Sequence, residues 1–300
     1  MGFEFKARIR YTRWAGIFGR AGVGLFQHDS FGMGAALAFY TVFSLGPILV
    51  LTAAIAGHTI GGREGRDEIV TWSRYYVGPE GAKAVKNMLA SSRNITSNIT
   101  ATLVGIVTLF FTTTNVFGRL KHSLNTIWGI ERRKQTLAIF FLVTRLKAAV
   151  TAMVFGLAIF LGIILSTMVA NVGKILGRWL PLPDSLLLAT NLAMSMAILV
   201  PMFVLIFKYL PDVNVPWRSA WTGAIATGVL FQAGAVAMGM YLSTNVLSSF
   251  YGAAGSVLAI MLWAYYTVQT VLFGGEVCRE HARACEEEEA AAAKAGDAKP

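Results

Sequence analysis

Residues 253–275 read AAGSVLAIMLWAYYTVQTVLFGG, a stretch without Asp, Glu, Lys or Arg that ends against Glu276. A helix needs about 20 mainly apolar residues to cross about 30 Å of hydrocarbon, so this stretch predicts a membrane span. Five more segments read the same way: 34–57, 101–118, 148–170, 185–207 and 219–241. The stretch at 101–118 is at the short end of the usable range. The expected fold is all-α, a polytopic integral membrane protein built as a six-transmembrane-helix bundle. The composition agrees. Of 300 residues, 55% are apolar and only 14% charged, against roughly 25% charged in ordinary soluble domains.

The net charge is +10. A basic balance can signal nucleic acid or an anionic membrane. Here the charges flank apolar spans, which selects the membrane and makes nucleic acid an unexpected partner. Lys and Arg number 18 in the N-terminal segment, loop 119–147, the 208–218 turn and the tail, against 8 in the alternate loops, of which loop 58–100 counts for less because most of it lies far from span ends. The positive-inside rule then puts both termini in the cytoplasm of a multi-pass protein. No compact apolar leader precedes residue 34, so the first span is expected to serve as targeting signal and to stay in the protein.

Three parts follow from this layout. Residues 1–33 are expected to form a basic amphipathic helix lying in the cytoplasmic interface against anionic lipid, with Ile9, Trp14, Ile17, Phe18 and Leu25 among Arg8, Arg10, Arg13 and Arg20. Residues 34–276 form the membrane domain. Its outer loop 58–100 carries short helices expected at 66–77 and 80–90, and glycosylation-type sequons at Asn94 and Asn98. Residues 277–300 read as a cytoplasmic tail, Glu-rich then Ala-rich and partly disordered. Cys278 and Cys285 lack a Cys/His partner set, so no zinc site is indicated and reduced thiols are expected.

Polar residues inside spans are the candidates for function, because such groups are costly in lipid. Thr108, Thr112, Asn115, Arg119 and His122 recur at helical spacing on one face of the second span. In the sixth span Gln269 and Glu276 share a face with Tyr266. In the fifth, Gly228, Gln232, Ala235 and Gly239 share one, where small residues admit a close neighbour. The expected polar pathway is Thr108, Thr112, Asn115, Arg119, Gln232, Gln269 and Glu276. Arg119 and Glu276 fall at one depth, which suggests a salt bridge between them. Pro47 lacks an amide hydrogen and marks a kink or hinge in the first span. Interhelical adhesion is the plainer reading of every one of these polar groups.

The chemistry of many enzymes is missing. No phosphate-cradling G-x-x-x-x-G-K-[ST] loop, no H-E-x-x-H and no G-x-S-x-G occurs. The four His are scattered and form no metal cluster. No catalytic residue, cofactor or metal is therefore expected, and the chain does not read as an enzyme.

Four segments together carry a resemblance. They are Gly34-Ala-Ala-Leu-Ala-Phe-Tyr-Thr-Val-Phe-Ser-Leu-Gly-Pro47, then Leu124-Asn125-Thr-Ile-Trp128-Gly-Ile, then Leu210-Pro211 through Trp217-Arg218 with Gly223. The fourth runs Tyr251-Gly252-Ala-Ala-Gly255-Ser, Trp263-Ala-Tyr265-Tyr266 and Gly274-Gly275-Glu276. In this order, over about residues 15–283, they resemble the YihY/BrkB family of bacterial inner-membrane proteins. The resemblance implies six membrane helices in the bacterial inner membrane. The family has carried a ribonuclease label and a virulence or serum-resistance label, and export of lipids or other envelope components has been suggested for members. Where the family typically has a Glu-rich spot in the fifth span, this chain has Gln232. The reading that fits the polar stripes is a transporter or flippase-like exporter of an envelope lipid or solute. The alternatives are a scaffold for envelope assembly and, more remotely, a membrane-associated ribonuclease. Membrane lipids are the expected partners, and self-association is left open.

Overall fold

The computed structural model describes residues 2–59, 99–130, 184–243 and 255–297, together with positions 67, 70, 71, 82, 83 and 86. Among these residues the chain is all helical. We number the helices α1 (Gly2–Gln27), α2 (Ser30–Thr59), α3 (Ile99–Ile127), α4 (Asp184–Tyr209), α5 (Trp217–Ser243) and α6 (Gly255–Asp297). Five of the six expected spans fall on α2 to α6. The expected span 148–170 lies outside the described residues, as do most of the loop 58–100 and both sequons. Among the described residues, Trp217–Tyr241 and Val257–Lys294 are long and apolar enough to cross a membrane, and Ser30–Ser44 and Ser195–Tyr209 are shorter apolar helical stretches.

α5 shows how these helices meet their surroundings. Trp217, Trp221, Ile225, Val229, Val236 and Met240 are all exposed, and their spacing places them along one side of the helix. A soluble protein rarely leaves so long an apolar stripe bare; against lipid tails it costs nothing. The opposite side of α5 packs on α4 and α6, while α2 packs on α3 and α6. The α5–α6 approach is closest at two glycines. A Cβ on Gly223 would stand 2.5 Å from the Gly274 carbonyl oxygen, and one on Gly274 would overlap the Thr227 hydroxyl. Thr227 is fully buried there and donates to the Gly223 carbonyl at 2.9 Å. Further along, the Tyr266 ring fills the space beside Gly234 and its hydroxyl donates to the Leu230 carbonyl at 2.6 Å. Small residues letting helix backbones meet is the usual means of adhesion where lipid offers no hydrophobic drive. The small-residue face expected on α5 divides accordingly. Gly228 meets Val200 and Met196 of α4, whereas a Cβ on Gly239 would meet nothing within 4 Å.

The main core lies where the C-terminal parts of α3 and α4, the start of α5 and the 271–278 stretch of α6 converge. Leu124, Ile127, Phe203, Phe207, Leu210, Val215, Ala224 and Leu272 form it. The α4–α5 turn is clamped onto α3 at the same end. Asn125 exchanges two hydrogen bonds with Asp212, at 2.9 and 2.8 Å, and Lys121 pairs with Asp212 at 2.7 Å. Lys208 reaches across the turn to the Val215 carbonyl at 2.6 Å and lies over the Trp217 ring.

Both ends are helical among the described residues. The tail continues α6 to Asp297, with Glu286–Glu289 exposed. Ala and Glu are among the strongest helix formers, so a helix already nucleated in the core propagates through them. The N-terminal helix packs one side on α6. Ile17 and Ala21 are fully buried in a cluster with Val277 and Ala284 of α6, while Trp14, Phe18, Val23 and Phe26 stay exposed.

A buried charged junction as candidate functional site

α1 and α2 are joined by a turn of two residues, His28 and Asp29. The Asp29 amide bonds the Phe26 carbonyl at 3.4 Å and the Asp29 carbonyl opens α2 by accepting from Met33 at 3.0 Å. Asp29 has φ 50°, in the left-handed region, which Asp and Asn tolerate and β-branched residues do not. Its carboxylate folds over Gly32, where a Cβ would sit 2.6 Å from Oδ2. Asp29→Val is accordingly expected to lose about 1–2 kcal/mol, while Asp29→Asn stays near neutral; thermal unfolding in detergent separates the two.

This turn sets His28 and Ser30 against one face of α6. His28 Nδ1 lies 2.6 Å from Glu276 Oε1, and Arg279 Nη1 lies 3.2 Å from His28 Nε2. A guanidinium only donates, so a hydrogen bond between Arg279 and His28 assigns Nε2 as acceptor and Nδ1 as the donor to Glu276. The carboxylate of Glu276 is 1% exposed, against 18% for His28 and 14% for Arg279. Its second oxygen, Oε2, has Arg279 at 3.9 Å, near enough for charge attraction and too far for a hydrogen bond. α1 comes this close because residue 24 is glycine: a Cβ there would stand 2.6 Å from Glu276 Oε2. One turn along α6, Glu280 receives Arg20 of α1 at 2.9 Å and Arg283 at 3.4 Å.

Two turns earlier on the same face of α6, Gln269 donates to the Ser30 carbonyl at 3.2 Å. Gly34 leaves the room for it, since a Cβ there would overlap the Gln269 amide nitrogen. Among the described residues, Gln269 Oε1, Ser30 Oγ and Glu276 Oε2 are buried and find no hydrogen-bond partner. Such vacancies are uncommon in native proteins and call for a reason.

The sequence-expected residues divide in this light. Gln269 and Glu276 meet the α1–α2 turn. Arg119 does not reach Glu276: it donates to the Tyr40 hydroxyl at 3.0 Å and stacks 4.6 Å from that ring, on the exposed side of α2 and α3. Glu276 pairs with His28 and Arg279 instead, so the expected Arg119–Glu276 bridge is replaced. On α3, Thr108, Arg119 and His122 are exposed and Asn115 is half-buried, while the side that packs is Thr114, Phe117, Leu120, Leu124 and Ile127. The side chain of Thr112 lies outside the described residues. Gln232 is half-buried on α5. Pro47 lies within α2. Among the described residues no group of His, Cys, Asp and Glu is placed to hold a metal ion. Sequence reasoning missed His28, Ser30, Gly24 and Arg279. The clue was the Glu276/Arg279 and Glu280/Arg283 spacing just past an apolar span, a charged strip that needs a partner helix.

Segments that carried the family resemblance meet here, Asn125 with Asp212 and Gly223 with Gly274, while Gly34 packs on Gln269. The family described as Virulence factor BrkB matches residues 23–299. The chain belongs to the BrkB family. Its similarity to curated BrkB-type proteins is moderate. It is 27% identical over 248 residues to a UPF0761 membrane protein of Pseudomonas aeruginosa (strain LESB58), covering 80% of this chain and 56% of that one. It is 26% identical over 257 residues to one of Stenotrophomonas maltophilia (strain R551-3), covering 81% and 55%. A third, from Xanthomonas campestris pv. campestris (strain 8004), is 26% identical over 286 residues, covering 91% and 63%. The chain thus spans a little over half the length of these relatives. No solved structure matches it. With the family established and apolar helices present, this is a membrane protein of the UPF0761/BrkB type.

Proposed function

We propose that this BrkB-family chain is a six-span protein of the bacterial inner membrane, with both termini in the cytoplasm, and that it moves an envelope lipid or solute across that membrane. No catalytic role is assigned to it. The observation that carries this reading is the junction of α1, α2 and α6. A fully buried carboxylate, an amide and a hydroxyl each keep an unfilled hydrogen-bonding oxygen at the end of apolar helices. Polar groups held inside a membrane protein at such cost usually mark a substrate or ion path. In this reading Gln269 and Glu276 line the centre of the path, and the basic end of α1 gathers anionic lipid.

The test is lipid scrambling and solute flux in proteoliposomes. Glu276→Gln keeps the shape and removes the charge, and is expected to slow movement at least about tenfold, as loss of a charge-assisted contact does. Arg119→Ala is expected to slow it less, since that side chain is exposed on Tyr40. Unchanged flux in correctly folded Glu276→Gln would remove the junction from the pathway. Absence of any movement by the wild type would remove transport itself.

A further inference from the structure

We infer that the α4–α5 turn is a binding site for an anionic phospholipid, whose phosphate is taken by Lys208 and Arg218 and whose chains run along the exposed side of α5. This goes beyond the transport reading and does not depend on it.

The argument begins with two cations that lack a countercharge. Lys208, in the last turn of α4, donates to the Val215 carbonyl at 2.6 Å and holds its ammonium 5.4 Å from the centre of the Trp217 ring. An ammonium has three hydrogens, so the carbonyl leaves two for a ligand. Arg218 is exposed in the first turn of α5, a turn without an acidic residue. Among the described residues neither cation forms an ion pair. Asp212 is the one carboxylate in the sequence from 208 to 218, and Lys121 and Asn125 of α3 engage it. This end of the hairpin is therefore positive and open.

The surroundings of the cations select the ligand. Tyr209, Trp217 and Trp221 are exposed beside them, and the Tyr209 and Trp217 rings meet edge to face with centroids 6.3 Å apart. Amphipathic rings of this kind settle at headgroup depth. Beyond them on α5, Ile225 and Val229 continue the exposed strip at four-residue spacing, which keeps it on one side of the helix. Cations, aromatic collar and apolar track follow one another as phosphate, glycerol esters and acyl chains do in a phospholipid. A soluble anion would engage the cations and leave the rings and the track idle. A zwitterionic lipid would bring its own ammonium toward Lys208 and Arg218, whereas an anionic headgroup meets only attraction there.

The experiment uses the full chain, labelled with fluorotryptophan, in phosphatidylcholine nanodiscs. A small fraction of the lipid carries a nitroxide at the top of one chain, on either phosphatidylglycerol or phosphatidylcholine. Fluorine NMR reads the relaxation enhancement at Trp217 and Trp221, whose signals are assigned with Trp217→Phe and Trp221→Phe. The phosphatidylglycerol probe is expected to act about tenfold more strongly than the phosphatidylcholine probe, since each cation near the surface favours the anionic lipid about fivefold. Lys208→Gln combined with Arg218→Gln is expected to bring the two probes to parity. Lys208 also closes the turn, so Arg218→Gln alone is the second variant, and it is expected to lower the preference about fivefold. Lys294→Gln removes the same charge from the exposed end of α6 and is expected to leave the preference unchanged. Equal action of the two probes on the wild type overturns the proposal, as does a preference that survives Arg218→Gln or falls as far in Lys294→Gln. Displacement of the phosphatidylglycerol probe by inorganic phosphate at constant ionic strength would assign the cations to a soluble anion instead and overturn the lipid site. Relaxation is read without any flux, so a lipid preference in a chain that transports nothing leaves this inference standing and removes only the transport reading.

Discussion

Gly274→Leu is expected to cost at least about 3 kcal/mol and to abolish recovery of folded protein at moderate temperature. The α5–α6 contact has no slack at this point. Even a single Cβ on residue 274 would overlap the Thr227 hydroxyl, and it would stand 2.9 Å from the Gly223 carbonyl and 2.9 Å from the Phe207 ring. Two of those three neighbours cannot retreat: one is backbone and the other belongs to the main core. Overpacking a filled site ordinarily costs about 1–3 kcal/mol, and here the helices must separate to relieve it. That would also break the Thr227 bond to Gly223 at 2.9 Å. Gly274→Ala is expected to be milder, and Thr227→Ala to restore part of the loss by removing the nearest atom. Gly239→Ala is the control on the neighbouring helix, since its Cβ meets nothing within 4 Å; it should be neutral or slightly stabilising, as Ala favours helix over Gly. Thermal unfolding in detergent ranks the four. A Gly274→Leu protein as stable as Gly239→Ala would show that the two helices are not in contact there.

The positions of the helices could be read from the sequence because membrane-scale apolar length is a strong signal, and α2 to α6 fall where those lengths placed them. The orientation of each helix about its own axis was far harder to read. On α3 the spacing of Thr108, Arg119 and His122 correctly marks one face, but that face is exposed and the packed side runs through Thr114, Leu124 and Ile127. In water an apolar stripe must turn inward. Beside lipid an apolar side is content on either side, so hydropathy separates two faces without saying which one meets a neighbour. The junction was half legible for a related reason. Glu276 and Gln269 stand out as polar residues on an apolar helix, whereas their partners come from a turn far away in the chain, across 248 positions for His28. Pairing at that separation is a tertiary fact. The glycines gave the better clue: Gly24, Gly34, Gly223 and Gly274 each mark a place where backbone or a polar side chain of another helix comes within reach.

Glu276→Ala is expected to be the most damaging single change at the junction, at about 3–5 kcal/mol. Removing one member of a buried ion pair leaves the other charge without compensation, and that residual charge, more than the lost attraction, sets the cost. Here the loss would leave His28 Nδ1–H without its acceptor at 2.6 Å and Arg279 with its guanidinium 14% exposed and no carboxylate at 3.9 Å. It would also open a void where Gly24 now meets the carboxylate. Arg279→Ala should cost less, because His28 still donates to Glu276 and the carboxylate keeps one strong partner. The combination Glu276→Ala with Arg279→Ala should cost less than the two single losses added together, because neither charge is then stranded. That non-additivity distinguishes a coupled charge site from two independent packing contacts. Unfolding of the four proteins in one detergent at about pH 7 supplies the cycle. Strict additivity would mean that Glu276 and Arg279 do not sense one another, and that the carboxylate is held by His28 alone.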